Sequence, residues 1–336
     1  MEDDKGTVCV TGATGYVASW LIMRLLQHGY SVRATVRSHH AAENKKDLSY
    51  LTNLPEASKR LRIFHADLNQ AGSFDNAIQG CAGVFHLAHP MDVQGQEPEE
   101  AVTKRAVEGT LGILKACLES KTVKRVIYTS SAVTALFNGN LNINGDQNLV
   151  VDEDSWSDLE ICRSWKLVSS SYLVSKTLTE KAFLEFGEHN GLEVVSLVLP
   201  LVVGPFVCPK IPSSVYIALA MIIGDESRYD YLTNSYMVHI DDATSALIFL
   251  FNHGNANGRY ICSSTQISFY QMYEFLRGRY PGHHITIPKE MTIANSDRKF
   301  SVLSSTKLLN TGFKFEHGIN EMYDGAVQCC KEKGFL

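Results

Sequence analysis

Apolar residues in this chain fall into short runs separated by longer amphipathic stretches. Residues 7–10, 31–36, 61–65, 83–88 and 124–128 are brief, largely apolar and rich in β-branched or aromatic side chains, the pattern of buried strands. Between them the apolar positions return at helical spacing, as with Trp20, Leu21, Met23, Leu25 and Leu26 in residues 16–27. Strand and helix alternate to about residue 198, which predicts a doubly wound parallel sheet with helices on both faces. Past Gly204 the pattern changes. Pro205, Pro209 and Pro212 crowd together, and helices are predicted over 214–223, 269–280 and 319–331, with a strand at 260–262. The expectation is a dinucleotide-binding and catalytic domain over roughly residues 1–200 and a smaller substrate-binding lobe over roughly 201–336. No repeat or long linker separates them, so they should pack as one unit. The polar, turn-rich stretch 138–154 predicts a mobile loop near the site.

The first strand is followed at once by Thr11-Gly12-Ala13-Thr14-Gly15-Tyr16-Val17-Ala18. Strand, glycine turn and helix is the context that a phosphate-binding loop needs, and it makes the fold class Rossmann-type α/β. Gly12 permits the tight turn and Gly15 lets backbone approach a pyrophosphate. Ala18 stands where close helix–strand packing needs a small residue. The free N–H groups at the helix start favour an anion. Gly12, Thr14, Gly15, Tyr16 and Val17 are therefore assigned to the cofactor. The second strand ends at Arg37 rather than at the Asp or Glu that holds a ribose 2′-hydroxyl in NAD-specific proteins. A guanidinium suits a 2′-phosphate, so NADPH/NADP is favoured, with NAD still open. Arg33, Lys45 and Lys46 lie nearby; the two lysines serve equally well as surface charges. Asp67, after the third strand, can accept a bond from the adenine amino group. Ala88, after the fourth, is small enough to let the cofactor pass. His86 and His89 lack a third ligand at metal spacing and are expected to be satisfied histidines, with no metal site.

Chemistry enters with Ser130-Ser131 at the end of the fifth strand and with Tyr172 and Lys176 in Ser-Ser-Tyr-Leu-Val-Ser-Lys. At i and i+4 on a helix, Tyr172 and Lys176 share one face. A free phenol has a pKa near ~10, and an adjacent ammonium should lower it. Tyr172 would then give a proton to a carbonyl oxygen as the nicotinamide supplies a hydride, with a serine polarising the C=O. In the oxidative direction Tyr172 would be the base. Spacing does not choose between Ser130 and Ser131, and a Tyr-x-x-x-Lys by itself is common.

The whole set of segments, in order, resembles an extended short-chain dehydrogenase/reductase. It is most similar to the plant group of dihydroflavonol reductase, anthocyanidin reductase, vestitone reductase and noscapine synthase. Val8-Cys9-Val10-Thr11-Gly12, Ala66-Asp67-Leu68, Tyr128-Thr129-Ser130-Ser131, Ser175-Lys176-Thr177-Leu178, Val202-Val203-Gly204-Pro205, Val238-His239-Ile240-Asp241-Asp242 and Gly258-Arg259-Tyr260-Ile261-Cys262 carry it across nearly the whole chain. The resemblance implies that Ser131 is the catalytic serine. It also implies that Arg37 binds the 2′-phosphate, that Asp67 and Leu68 flank the adenine, and that Pro200 to Val203 lie along the nicotinamide. Two positions depart from the dihydroflavonol reductase pattern. Leu136 replaces a polar Asn and Tyr236 replaces a Gln, which would leave buried substrate hydroxyls unpaired at about 1–3 kcal/mol each. Phe137-Asn138-Gly139 and 206–210 are similar to vestitone reductase, and Ala18 with 19–23 to noscapine synthase. Met91, Leu136, Phe206 and Tyr236 are assigned to a pocket for a small, flat aromatic substrate; Met237 and Phe206 fit a core role equally well. The expected activity is NADPH-dependent reduction of a ketone on a flavonoid or isoflavonoid. An alcohol or lactol dehydrogenase and a non-catalytic dinucleotide sensor are the alternatives.

Composition narrows the partners. A net charge of −5 and the lack of a basic stripe argue against nucleic acid. The N-terminus lacks the apolar stretch of a signal peptide, and 194–208 is too short and too interrupted to span a membrane. The 8 cysteines show no paired metal spacing and read as reduced thiols. A cytoplasmic protein is expected, as a monomer or weak homodimer.

Overall fold

A computed structural model describes residues 5–37, 47–90, 97–138, 150–164, 170–285, 287 and 301–336. Its strands, in chain order, are β1 Thr7–Thr11, β2 Ser31–Val36, β3 Leu61–His65, β4 Gly83–His86, β5 Arg125–Ser131, β6 Val150–Val151, β7 Glu193–Leu199, β8 Leu201–Val203, β9 Asn234–His239, β10 Gly258–Ile261, β11 Thr265–Ser268 and β12 Val302–Leu303. Seven of them form one parallel sheet in the order β10-β7-β5-β4-β1-β2-β3. The order reverses between β1 and β4, and that switch point is where an open α/β sheet binds its ligand, outside the carboxyl ends of the strands.

Each strand sends alternate residues to opposite faces. Val8 and Val10 join a cluster with Leu21, Leu25, Ala243 and Leu247, which brings the helices Tyr16–Gln27 and Ile240–Asn252 onto one face. Cys9, between them, joins Ile113, Leu114 and Phe183 of the helices Glu99–Ser120 and Ser170–Asn190 on the other. Glycines let those helices sit close: a Cβ on Gly187 would lie 2.2 Å from Val194.

The smaller lobe has its own core of Val215, Met221, Tyr229, Phe269, Met272, Met322 and Tyr323. Beside it lies the three-stranded sheet β11-β9-β8. A capping box on Ser268 and Gln271 starts its helix Phe269–Arg279. The helix expected over 214–223 is two pieces, Ser213–Ala218 and Ala220–Ile223, with Leu219 between. The strand expected near 260–262 is not part of the lobe. It is β10, and it pairs with β7 as the edge of the main sheet. The chain therefore returns from the lobe to the large sheet through Ile240–Asn252 and β10. Composition after Gly204 could not reveal this, because edge pairing is a long-range choice. Of the expected loop 138–154, residues 139–149 lie outside the described residues.

Candidate active site

The glycine loop is held from below. Gly12 has φ +71°, a region open to glycine, and a Cβ there would lie 3.0 Å from backbone atoms of Ala88. The turn therefore presses directly on the end of β4. Thr11 secures that contact: its hydroxyl oxygen accepts the Leu87 and Ala88 N–H groups, each at 3.0 Å. Its one hydroxyl proton is left for His86 Nδ1 at 2.9 Å, so His86 Nε2–H donates to Thr110 Oγ1 at 3.0 Å. Both nitrogens of His86 are thus engaged, and burial pulls its pKa down to about 3. Among the described residues no group of three or more His, Cys, Asp or Glu could hold a metal. The loop's fit to a dinucleotide rests on this cradle: a glycine that a Cβ would displace, a small residue at Ala88, and a helix start at Tyr16 capped by no side chain.

Other residues assigned to the cofactor gather at the same carboxyl edge. Arg37 is exposed at the end of β2 and has no ion-pair partner among the described residues. Asp67 Oδ1 accepts the Asn69 N–H at 2.9 Å, and Ser73 bonds both the N–H and C=O of Asp67. Leu68 rests on Gly109, where a Cβ would meet it at 2.9 Å. Pro200 and Val203 follow β7, and Ala132 N–H donates to Leu199 O at 2.8 Å beside them. Tyr16 crosses to the lobe, its hydroxyl donating to Gly204 O at 3.1 Å, while Val17 packs on the core. Arg33 faces elsewhere: it donates to the carbonyls of Asn76, Ala77 and Gln79 and lies over Phe64. Its guanidinium is thereby engaged by the helix Asp75–Ile78 and the residue that follows it. Lys45 lies outside the described residues, as does Met91.

Ser131 ends β5, where its register partner is Leu199 of β7. Its hydroxyl lies close enough to Tyr172, in the first turn of Ser170–Asn190, to act on that phenol's proton affinity. Burial raises the Tyr172 pKa and the Ser131 contact opposes that. The expected lowering by Lys176 is not found, since burial and Ser131 are what act on the phenol. Lys176 Nζ instead donates to Thr129 O at 2.9 Å and Tyr128 Oη at 3.3 Å, over the Tyr128 ring at 4.8 Å. Burial lowers the Lys176 pKa to about 8, against the pull of Glu180. His89 meets the Tyr172 ring edge-on at 5.8 Å and bonds Ser175 at 3.2 Å. Burial, with the Lys176 charge, holds it neutral.

The pocket residues divide. Leu136 touches two apolar groups, one containing Tyr172 and Leu173, the other Tyr236, Val198 and Ile261. It therefore links Tyr236 to the Ser131–Tyr172 pair. Tyr236 donates to Ser301 O at 2.6 Å and accepts from Asn234 at 3.2 Å, so its hydroxyl is already engaged. Phe206 is not with them. It is 2 % exposed, in the lobe's core with Met237, its ring tilted against that of Phe335 at 6.2 Å.

Ser130, which spacing did not separate from Ser131, belongs to a different network. It donates to Glu180 Oε2 at 2.7 Å, in a buried cluster with Arg259, Thr134 and Ser196. Sequence reasoning missed this cluster. The clue in the chain was that Glu180 continues the i+4 stripe of Tyr172 and Lys176; nothing local points to Arg259.

The NAD dependent epimerase/dehydratase model matches residues 8–262. Vestitone reductase of Medicago sativa is 48% identical over 336 residues, covering 100% of both chains. Its crystal structure superposes with a TM-score of 0.85, covering 99% of this chain and 100% of that one. "Protein BRI1-5 ENHANCED 1" of Arabidopsis thaliana is 54% identical over 99% of this chain and 91% of its own length. Dihydroflavonol 4-reductase of Callistephus chinensis is 44% identical over 100% and 89%. The chain belongs to the NAD dependent epimerase/dehydratase family, as an NAD(P)-dependent oxidoreductase of its extended short-chain dehydrogenase/reductase branch.

Proposed function

We propose that the protein reduces a ketone on an aromatic plant metabolite of the flavonoid or isoflavonoid type, with NADPH as reductant. The observation that carries this reading is the placement of Ser131 at the carboxyl end of β5 beside Tyr172 and Lys176 of the helix Ser170–Asn190, where Lys176 Nζ donates to Thr129 O and burial keeps the Tyr172 phenol protonated. A protonated Tyr172 suits reduction better than oxidation. The relatives named vestitone reductase and dihydroflavonol 4-reductase support the substrate class.

Gly12, Gly15, Asp67, Leu68 and Ala88 would hold the dinucleotide, and Arg37 its 2′-phosphate. When bound, the cofactor supplies the hydride. Ser131 donates a hydrogen bond to the substrate carbonyl, and Tyr172 transfers its proton to the same oxygen. Lys176, cationic at neutral pH and held by Thr129 O and Tyr128 Oη, would hold the nicotinamide ribose hydroxyls of the bound cofactor. Leu136 and the ring of Tyr236 offer a flat apolar wall. Because the Tyr236 hydroxyl is committed to Ser301, this wall disfavours a dihydroflavonol, whose hydroxyls would go unpaired.

The test is NADPH oxidation, followed by absorbance, against dihydroflavonols, flavanones, isoflavanones and aryl ketones. Turnover of an isoflavanone without a dihydroflavonol is expected. No turnover of any ketone, despite tight NADPH binding, would overturn the reading and turn attention to alcohols and lactols. Tyr172→Phe should lower kcat by at least about 100-fold while NADPH affinity stays close to that of the wild type. Joint loss of both would make Tyr172 structural.

A further inference from the structure

Behind the Ser131–Tyr172 pair lies a buried ion pair that the proposed chemistry does not use. Glu180 is 0% exposed and Arg259 5%. All five guanidinium protons of Arg259 have acceptors. Nε donates to Glu180 Oε1 at 3.0 Å; Nη1 to the carbonyls of Glu153 and Ser155 at 2.8 and 2.6 Å; Nη2 to Thr134 Oγ1 at 2.9 Å and Glu180 Oε2 at 3.5 Å. Glu180 is equally filled. Ser196 donates to Oε1 at 2.5 Å and Ser130 to Oε2 at 2.7 Å. The Trp156 ring covers the guanidinium at 3.8 Å.

These contacts converge on the catalytic serine. Thr134 passes its own proton to the Ser131 carbonyl at 2.9 Å while accepting from Arg259. Ser130, the neighbour of Ser131, is fixed by Glu180. Glu180 in turn lies one helical turn beyond Lys176 on the stripe that begins at Tyr172. We propose that the Glu180–Arg259 pair is a positioning device for the reaction, which sets Ser131 through Thr134 and Ser130 and holds it in register with Tyr172 and Lys176. A satisfied buried pair suits this role, because it specifies one geometry where an apolar contact would allow several.

The pair acts on charge as well. The titratable groups facing Lys176 are Tyr128 from β5, His86 and His89 from β4 and its turn, and Tyr172 and Glu180 from its own helix. The tyrosines are neutral and the histidines uncharged, so Glu180 is the group among them that favours the ammonium form of Lys176.

This inference rests on the reductase reading, and its test separates the two. Thr134→Val removes the link to Ser131 at almost constant volume; E180Q removes the charge. Both should lower kcat at least about tenfold, with NADPH affinity within about twofold of wild type. E180Q should also move the alkaline limb of the pH–rate profile to lower pH, and Thr134→Val should leave it in place. A kcat within about twofold of wild type in both variants, or an unmoved limb in E180Q, would overturn the proposal. If E180Q fails to fold, Thr134→Val decides. If the wild type reduces no ketone, the reductase reading falls by itself, and amide exchange decides the positioning role. Residues 129–134 should then exchange faster in Thr134→Val, and unchanged exchange would overturn it.

Discussion

Tyr172 and Lys176 show how far a residue's chemistry depends on what surrounds it. Their spacing suggested a lysine that lowers the tyrosine's pKa. In the folded chain Tyr172 is raised by burial, and Lys176 is turned to Thr129 and Tyr128. The Tyr172 phenol therefore keeps its proton at neutral pH, and the group that titrates first is the lysine. With its pKa near about 8, Lys176 loses its charge on the alkaline side. We expect kcat/KM for ketone reduction to fall as pH rises through about 8. A profile flat to about pH 10 would remove Lys176 from the mechanism. Arg37 was legible because it ends a strand beside the loop, and it stands exposed without an ion-pair partner among the described residues. A charge-assisted bond to a 2′-phosphate is worth ~1.5–3 kcal/mol, so Arg37→Asp should cut the NADPH over NADH preference by about 10–100-fold. Retained preference would mean that another group reads the phosphate.

At the scale of elements, the edge strand β10 does more than complete the sheet. Arg259 on β10 reaches the helix Ser170–Asn190, the short stretch before Trp156 and Thr134 just past the end of β5 at once. Removing one partner leaves a buried charge alone. Arg259→Met should therefore destabilise the protein by about 3–5 kcal/mol, read as a lower midpoint in urea. Adding Glu180→Leu should recover part of that loss, since it removes the unpaired charge, while Ser130, Ser196 and the Glu153 and Ser155 carbonyls stay without their partners. If the double variant is no more stable than the single, the cluster is held by something other than this pair. Secondary structure was largely legible from periodicity. The membership of β10 was not, because its pairing with β7 joins segments far apart in the chain, such as Gly258 with Val195.

For the whole molecule, acid is the stress that its buried imidazoles make informative. His86 and His239 have pKa values lowered to about 3 and about 4, first by burial. In the unfolded chain they titrate near ~6.5. Between those limits the unfolded state binds more protons, so stability is fully present above about pH 6.5 and is lost as pH falls. At about pH 5 each group should have cost about 2 kcal/mol, and the Tm should drop by several degrees between neutral pH and that point. An unchanged Tm would show that neither ring is held neutral. No helix among the described residues is long and apolar enough to cross a membrane.

The order of strands and helices, the glycine turn and the shared face of Tyr172 and Lys176 follow from local pattern, since turn chemistry and periodicity act within a few residues. Tertiary structure alone decided which groups those residues touch. It joined Thr11 to His86 across two strands and set Phe206 in the lobe's core rather than beside Tyr236. It also brought Arg259 to Glu180 across 79 positions. Such contacts depend on which distant segments pack together, and burial then sets the proton affinities that the chemistry uses.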